Sequence, residues 1–261
     1  MCIQDSAVDN VKESCDYSNK TVAQLVSENP LRATIFEEYQ IDFCCGGKNT
    51  LEEVCRKKGL PLEQIIDRLA RVGSSEGNET DWEKASLQSL TSHIFKAYHE
   101  PLREQLQYVS KLAAKVARVH GETHPEMLAV ERLFAVFKEE LESHMQKEEM
   151  VLFPAIVSME KGEAASSFGC GHNLQMPVMV MMQEHEQAGQ MLEQFRMLTN
   201  GYTPPADACH SFKVLLFLLQ TIESDLHIHV HKENNILFPR ALALKKAKAQ
   251  FNLVGDSGFC G

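Results

Sequence analysis

Apolar residues recur at steps of three and four over most of the chain after residue 80, a spacing that places them along one helix face. The first such stripe contains Leu87, Leu90, Ile94 and Ala97. Segments rich in glycine or proline divide the pattern into four long helices, predicted at about 81–120, 125–160, 177–199 and 205–247. The alternating patterns typical of strands are nearly missing. We therefore expect an all-α, antiparallel four-helix bundle over residues 81–247.

The residues before this pattern predict a small helical domain at 1–73. Two of its helices are expected to begin at capping boxes, Thr21-x-x-Gln24 and Thr50-x-x-Glu53, which satisfy free backbone N–H groups. Asn29-Pro30 fits an N-cap followed by proline, and Pro61 is expected to open a helix that ends near Val72. A small, polar stretch at 74–80 predicts a linker, and residues 248–261 are expected to form a C-terminal tail.

Composition indicates an ordinary soluble protein and excludes several function classes. The 261 residues carry a net charge of −10, which argues against a nucleic-acid partner. The longest apolar run, Val214–Leu219, is far too short to span a bilayer, so no membrane partner is expected. The first ten residues have no basic segment, so we predict no secretory signal and a cytoplasmic location. The eight cysteines form no Cys-x-x-Cys pair and are expected to be reduced thiols.

An internal repeat links the second and fourth predicted helices. The segment from His144 to Pro154 recurs 85 residues later, from His229 to Pro239. The two copies share the frame His-x-x-Lys-Glu-x-x-[Val/Ile]-Leu-Phe-Pro. Helices that carry the same eleven-residue pattern are expected to play equivalent roles, with Leu-Phe as an apolar anchor to the core.

Each copy of the repeat offers a histidine and a glutamate to one point. Residues four apart on a helix differ by about 40° of rotation, so the pairs His144/Glu148 and His229/Glu233 each share a face. One isolated pair would more often be a solvated hydrogen bond, but two copies in a repeat favour a metal site. The third helix adds His185, and the first offers His93 and His99.

The donor set limits the choice of metal. Imidazole with carboxylate suits iron, and also manganese or zinc, whereas the lack of cysteine argues against structural zinc or an iron–sulfur cluster. Four imidazoles, two bridging carboxylates and a bridging oxygen would fill about ten of the roughly twelve positions around two octahedral ions. A dinuclear site with open positions for a small molecule is the expected arrangement.

These residues resemble a known family. Tyr98-His99, Arg118-Val119-His120, Ser143-His144-Met145, Lys147-Glu148-Glu149, Glu184-His185 and His229–Pro239 look like the hemerythrin-like domain of the di-iron proteins that repair iron–sulfur clusters, the repair-of-iron-centres family. The segment from Asp42 to Gly47 resembles the Cys-Cys motif of that family's N-terminal domain. The resemblance implies two oxo-bridged iron ions, whose ligands would be His99, His144, Glu148, His185, His229 and Glu233. The glutamates would be the bridges.

The same resemblance implies a function. It points to repair of clusters damaged by nitrosative or oxidative stress, through binding or reduction of nitric oxide or through donation of iron to iron–sulfur client proteins. The alternative is a nitric oxide or oxygen binding or sensing protein without turnover. A ferritin-like oxidase is disfavoured because that class uses more carboxylates. A homodimer is a further possibility suggested by the two-domain layout.

Several residues near the motifs carry separate expectations. Some relatives have a second histidine where this chain has Leu102, so that position is not counted as a ligand. Pro101 is expected to kink the first helix beside His99, because it removes a hydrogen bond and clashes with the carbonyl of Ala97. His120 is equally a fifth imidazole or a residue of the access path. His227 and His231 are expected on the surface or just outside the ligands.

Cys44 and Cys45 form the second candidate site. One reading is two small hydrophobic residues in a turn. The other is a reactive pair, because the following glycines and nearby helix N-termini would leave the thiols accessible and favour thiolate. A disulfide between adjacent cysteines is strained and readily reduced. We expect these thiols to accept iron, exchange a nitrosyl group or pass electrons.

Overall fold

The computed structural model describes residues 17–72, 80–162 and 174–244, and every extended element in these ranges is helical. A single isolated β-bridge, between Thr21 and Thr50, is the extent of strand pairing there. The all-α prediction is confirmed. Contacts divide the chain into two compact units, Met1–Asp81 with Val230–Asn235, and Trp82–His229 with Ile236–Gly261.

The N-terminal helices begin where the capping signals predict. They are α1 (Val22–Glu28), α2 (Ala33–Glu38), α3 (Leu51–Lys58) and α4 (Leu62–Arg71), with a 3-10 turn at Pro30–Arg32. Both capping boxes are formed, by Thr21 with Gln24 and by Thr50 with Glu53. Asn29 caps the 3-10 turn through its side chain, which accepts from the amide of Leu31. Pro61 precedes α4 directly.

The four long helices follow the predicted order. Their α-helical parts are α5 (Leu87–Ile94) and α6 (Glu100–His120), α7 (Glu126–Lys147) and α8 (Phe153–Lys161), α9 (Gln175–Leu198) and α10 (His210–Lys232). The first bundle helix is residues 87–120, the second 126–161, the third 175–198 and the fourth 210–244. No helix in the described ranges combines the length and the apolar character needed to cross a bilayer.

Two helix starts lie later than predicted. The first bundle helix begins at Leu87 rather than near Asp81, because the Ser86 hydroxyl caps it and the Glu160 carboxylate accepts from the amides of Leu87 and Gln88. The fourth begins at His210 rather than 205, after a turn in which the Ala208 amide donates to the Pro205 carbonyl. The tail at 248–261, the predicted helix end at 245–247 and nearly all of the linker lie outside the described residues.

The bundle core consists of two apolar layers. One layer contains Leu102–Val116 of the first helix and Phe212–Leu226 of the fourth, and the other contains Leu87–Ile94 and Ile236–Ala241 of the same helices. The second and third helices contribute to both layers in the same manner. Successive helices pass through the two layers in opposite order, so the bundle is antiparallel. Five of the six predicted ligands occupy the sequence intervals between the layers, and the sixth, His144, directly precedes Met145, the last residue of its layer on the second helix.

Three of the bundle helices change to π-helix at this polar level. The π segments are Phe95–His99, Glu148–Leu152 and Glu233–Leu237, and a proline follows each of them two residues later. Proline has no N–H and its ring pushes on the carbonyl four residues earlier, so the regular hydrogen-bond ladder cannot continue there. The disturbance expected from Pro101 therefore takes the form of a π segment that ends at His99. Such segments are frequent at functional sites.

Candidate metal centre

The polar level holds two groups of buried side chains that share their carboxylates. One group is His99, Glu148, His229 and Glu233, and the other is His144, Glu148, His185 and Glu233. Within each group the donor atoms all lie within 4.8 Å of one another. The structure thus brings together all six predicted ligands, with two imidazoles on each side of a pair of glutamates.

The distances inside the groups suit metal ligation. The Nε2 atoms of His99 and His229 are 3.1 Å apart, and those of His144 and His185 are 3.0 Å apart. Two nitrogens bound at right angles to one ion, at about 2.0–2.1 Å each, would be separated by about 3 Å. One oxygen of Glu148 lies 3.4 Å from Nε2 of both His99 and His144. Glu148 therefore faces one histidine of each group, as a bridging carboxylate would.

The burial of these side chains indicates that the site needs bound cations. Glu148 and Glu233 are fully buried, and each of the four histidines is at most 5% exposed. Two carboxylates this close together between apolar layers carry a large desolvation cost unless cations compensate them. Buried glutamates and neutral imidazoles in a 2:4 ratio are a fitting donor set for two divalent ions such as iron, with manganese or zinc as chemically acceptable substitutes.

Each group contains a histidine that is oriented by a further glutamate. His99 Nδ1 lies 2.7 Å from Glu149, which also binds Arg103 at 2.7 Å, and His144 Nδ1 lies 2.9 Å from Glu184, which also binds Lys147. An ionised carboxylate only accepts, so in both histidines Nδ1 carries the hydrogen and Nε2 presents its lone pair inward. The hydrogen bond from His144, aided by Lys147, lowers the pKa of Glu184 to about 2.

Aromatic rings stack on three of the four histidines. Tyr98 stacks on His229 with ring centroids 5.3 Å apart, Phe153 stacks on His99 at 5.7 Å, and Phe238 stacks on His185 at 6.0 Å. Phe153 and Phe238 are the phenylalanines of the two Leu-Phe-Pro repeats, and both lie in an apolar layer. The repeat therefore supplies four of the six predicted ligands and two of the rings that stack on predicted ligands.

A pocket between the first and fourth bundle helices reaches one member of the site. Its lining includes Tyr98, Leu102, Leu226 and His229. The pocket approaches His229 from the side of the bundle, although His229 itself is only 2% exposed. Leu102, which was not counted as a ligand, stands in this wall.

The other histidines lie elsewhere. His120 is at the far end of α6, where its Nε2 lies 3.1 Å from the Cys209 sulfur, and it belongs to neither donor group. His93 stacks on Trp82. His227 is half-buried, 4.0 Å from Glu223. His231 is only 2% exposed, so the surface position considered for it is wrong. Its Nδ1 donates to the Phe43 carbonyl at 3.2 Å, and burial lowers its pKa to about 4.

The cysteine pair lies in a loop organised by Asp42. Its carboxylate accepts hydrogen bonds from the amides of Cys44 and Cys45 at 2.9 Å each and of Gly46 at 2.7 Å. Cys44 is buried and Cys45 is partly exposed. The expected thiolate character is absent at Cys44, because its contact with Cys45 and its burial raise the pKa of its thiol well above the ordinary value. Gly46 and Gly47 are not in the left-handed region; Gly47 is required because a Cβ there would lie 2.5 Å from the Phe43 carbonyl oxygen.

Sequence reasoning assigned no role to the residues that support these sites. Glu149 and Glu184 adjoin ligands in the sequence, which was their only signal. For Asp42, the available signal was its place in the predicted loop, two residues before Cys44. His231 gave none, because its contact with Phe43 joins residues 188 positions apart.

Comparisons with known proteins agree with this arrangement. Residues 90–241 match the hemerythrin HHE cation-binding domain, and residues 18–72 match ScdA_N, a domain of unknown function (DUF542). The chain is 38% identical over 229 residues to the iron-sulfur cluster repair protein YtfE of Yersinia pseudotuberculosis serotype IB (strain PB1/+), covering 87% of this chain and 98% of that protein. The YtfE protein of Yersinia pestis (strain Pestoides F) matches with the same identity and coverage. The chain therefore belongs to the family of YtfE iron–sulfur cluster repair proteins and carries a hemerythrin HHE cation-binding domain.

Proposed function

We propose that this protein repairs iron–sulfur clusters damaged by nitrosative or oxidative stress, using two iron ions held by the six buried ligands. The observation that carries the proposal is the pair of donor groups that share Glu148 and Glu233. The 38% identical relatives, which are iron–sulfur cluster repair proteins, support it. In this proposal, His99 and His229 would hold one iron, His144 and His185 would hold the other, and Glu148 and Glu233 would be shared by both.

The residues around the ligands set what can reach the irons. When bound, the two irons would supply open positions for nitric oxide or oxygen and a store of releasable iron. The six ligands are buried, so a client protein cannot touch the site directly. The pocket at His229 admits only small species. Exchange with clients therefore passes through a gas molecule or a single ion.

Glu149 and Glu184 keep the site ready for metal. Each accepts the Nδ1 hydrogen of a ligand histidine and so holds that ring as the neutral tautomer with Nε2 facing inward. Arg103 also binds Glu149, and Lys147 also binds Glu184, so each carboxylate is held on its far side by a cation. The apolar layers above and below exclude water from the ligands.

Cys44 and Cys45 are proposed as the functional thiols of the same process. Their sulfurs lie 3.9 Å apart, and Cys45 is accessible to a small molecule or a client. The four cysteines in the described residues are all free, which supports work in the reducing cytoplasm. Replacement of both by serine is expected to abolish repair and to leave the iron content unchanged. Normal repair by that double variant would exclude the thiols from the function.

The test of the proposed function is repair of a nitrosylated iron–sulfur protein by the iron-loaded protein. The Glu148→Gln/Glu233→Gln variant should lose most of its iron and its repair activity. Glu139→Gln, which removes an exposed carboxylate from the same helix as Glu148, is the matched control and should keep both. Full repair by the iron-depleted double variant would refute the proposal.

A gas-binding sensor remains the second candidate, favoured by the access of the pocket to His229. A sensor supplied with reductant would stop after one equivalent of nitric oxide. A reductase-type enzyme would keep consuming it, and the two outcomes separate the candidates. A homodimer belongs to the same proposal and is checked by the mass of the protein in solution.

A further inference from the structure

Outside the bundle, the loop at 42–45 gathers a third set of metal-ligating atoms. Asp42, Cys44 and Cys45 each offer one donor atom, and the three donor atoms lie within 4.8 Å of one another. The Cys44 sulfur is 3.2 Å from Oδ1 of Asp42 and 3.9 Å from the Cys45 sulfur. We propose that Asp42, Cys44 and Cys45 form a separate, open binding site for a single thiophilic divalent cation.

The spacing of the sulfurs fits one ion rather than a disulfide. A bonded pair would be separated by about 2.05 Å. Two thiolates bound to one tetrahedral ion at about 2.3 Å each would be separated by about 3.8 Å, close to the observed 3.9 Å. The Asp42 carboxylate oxygen, 3.2 Å from the Cys44 sulfur, is the third donor atom of the set.

The loop holds this geometry before any ion arrives. The three amide hydrogen bonds to Asp42 fold residues 44–46 around its carboxylate. The His231 Nδ1–H donates to the Phe43 carbonyl at 3.2 Å, and the Asn235 side-chain amide donates to the Cys44 carbonyl at 3.0 Å. Phe43 is itself buried and contacts the ring of Phe36. The donor atoms are therefore preorganised, which lowers the cost of binding.

The number and exposure of the donors define the kind of site. Structural zinc sites in proteins are closed by four ligands. Here the three donors include an exposed carboxylate and a partly exposed thiol, so at least one coordination position opens to solvent. Two sulfurs with one oxygen favour zinc, ferrous iron or cobalt over magnesium or calcium. Binding releases the two thiol protons to solvent, and no electron is transferred.

An open site with a free position suits an ion in transit. In the cell, this ion would be ferrous iron that passes to or from a client protein. That identification rests on the proposed function. The existence of the site does not, because none of its three donor residues belongs to the two bundle groups.

Cobalt(II) provides the test, because a thiolate bound to cobalt gives a charge-transfer absorption in the near ultraviolet that nitrogen and oxygen ligands do not give. The full chain, already loaded with iron in the bundle, is titrated anaerobically with cobalt(II). We expect one equivalent to produce the band. Cys45→Ser and the Cys44→Ser/Cys45→Ser double variant should lose it, and Asp42→Asn should require more cobalt for half-saturation.

Cys209→Ser is the matched control, because it removes an exposed thiol remote in sequence from the loop and should keep the full band. Iron content and helix content verify that each variant is folded. A band that persists in the double variant, or no band in the unaltered protein, would overturn the inference. If the protein repairs clusters but gives no cobalt–thiolate band, the site is refuted and the proposed function is not. If it gives the band but does not repair clusters, the proposed function is refuted and the site is not.

Discussion

Glu184 acts through its neighbour in space, His144, rather than as a ligand. It accepts from Nδ1 of His144 at 2.9 Å and is held by Lys147. An amide in its place could hold either tautomer of the ring and would make the imidazole a weaker donor. We predict that Glu184→Gln weakens iron binding by about 10–100-fold. Competition with a chelator measures the change, and Glu186→Gln, exposed on the same helix, should bind iron normally.

A pair of loop residues at the far end of the bundle links two helix connections. His124 lies 3.1 Å from Asp207, and their hydrogen bond raises the pKa of the imidazole and lowers the pKa of the carboxyl. The contribution of the ionised Asp207 carboxylate to the stability of the fold is lost as the pH falls through its lowered pKa. The contribution of His124 is present below its ordinary value of about 6.5 and is lost as the pH rises through its raised pKa.

The expected result is a stability difference confined to mildly acidic pH. Asp207→Asn should lower the melting temperature slightly between about pH 4.5 and 6.5 and have little effect at pH 9. Melting curves recorded within the acidic range and at pH 9 check this. Added salt should reduce the difference in melting temperature, because both groups are accessible to solvent. An equal effect at both pH values would show that the charge of His124 does not contribute.

At the scale of single elements, the prolines and the π segments are coupled. Pro154 is exposed and follows the π segment that begins at Glu148. Pro154→Ala restores an N–H donor and removes a steric clash, so a regular α-helix becomes possible. We predict that the iron-free protein gains stability, by up to about 3 kcal/mol, while iron affinity falls because Glu148 shifts.

Denaturation of the iron-free protein and chelator competition measure the two effects. Pro125→Ala, at the start of the second bundle helix, is the control and should leave iron affinity unchanged. Unchanged affinity in Pro154→Ala would mean that the ligands, not the proline, maintain the π segment.

Two glycines give opposite expectations for the same substitution. A Cβ at Gly47 would lie 2.5 Å from the Phe43 carbonyl oxygen and 2.7 Å from the Ala23 Cβ, whereas one at Gly189 would meet nothing within 4 Å. Gly189→Ala, inside α9, should stabilise the protein by up to about 1 kcal/mol. Gly47→Ala should destabilise it and disturb the cysteine loop. The free energy of unfolding, from urea denaturation, distinguishes the two.

Element-level features differ in how far the sequence predicts them. Capping boxes, the repeat and the helical stripes depend on residues within a few turns, so the helices and the shared face of His144 and Glu148 are predictable. The π segment at His99 was predicted only as a kink. Pro101 indicates that the α-helical hydrogen bonds are interrupted there, but not which hydrogen bonds replace them. Contacts such as His231 with Phe43 depend on folding across 188 positions and leave no local pattern.

For the whole molecule, metal and stability are linked through the buried glutamates. Ions that bind the folded chain and not the unfolded one stabilise it by about 4 kcal/mol when free metal exceeds the dissociation constant a thousandfold. We predict that iron loading raises the melting temperature of the whole protein. In the Glu148→Gln/Glu233→Gln variant, loading should cause little shift, and the iron-free form should melt higher than iron-free wild type because two buried charges are gone. Calorimetry on the four samples tests both expectations.

The position of the ligands between two apolar layers has a consequence for the life of the protein in the cell. A newly made chain without iron has its repelling carboxylates halfway along the bundle, so the layers on either side are least firmly joined there. Local opening at that level would expose apolar surface and cleavable backbone to proteases. Iron supply would then determine both the activity of each molecule and the number of molecules that escape proteolysis. When iron is scarce, the amount of this protein in the cell would fall before any repair begins.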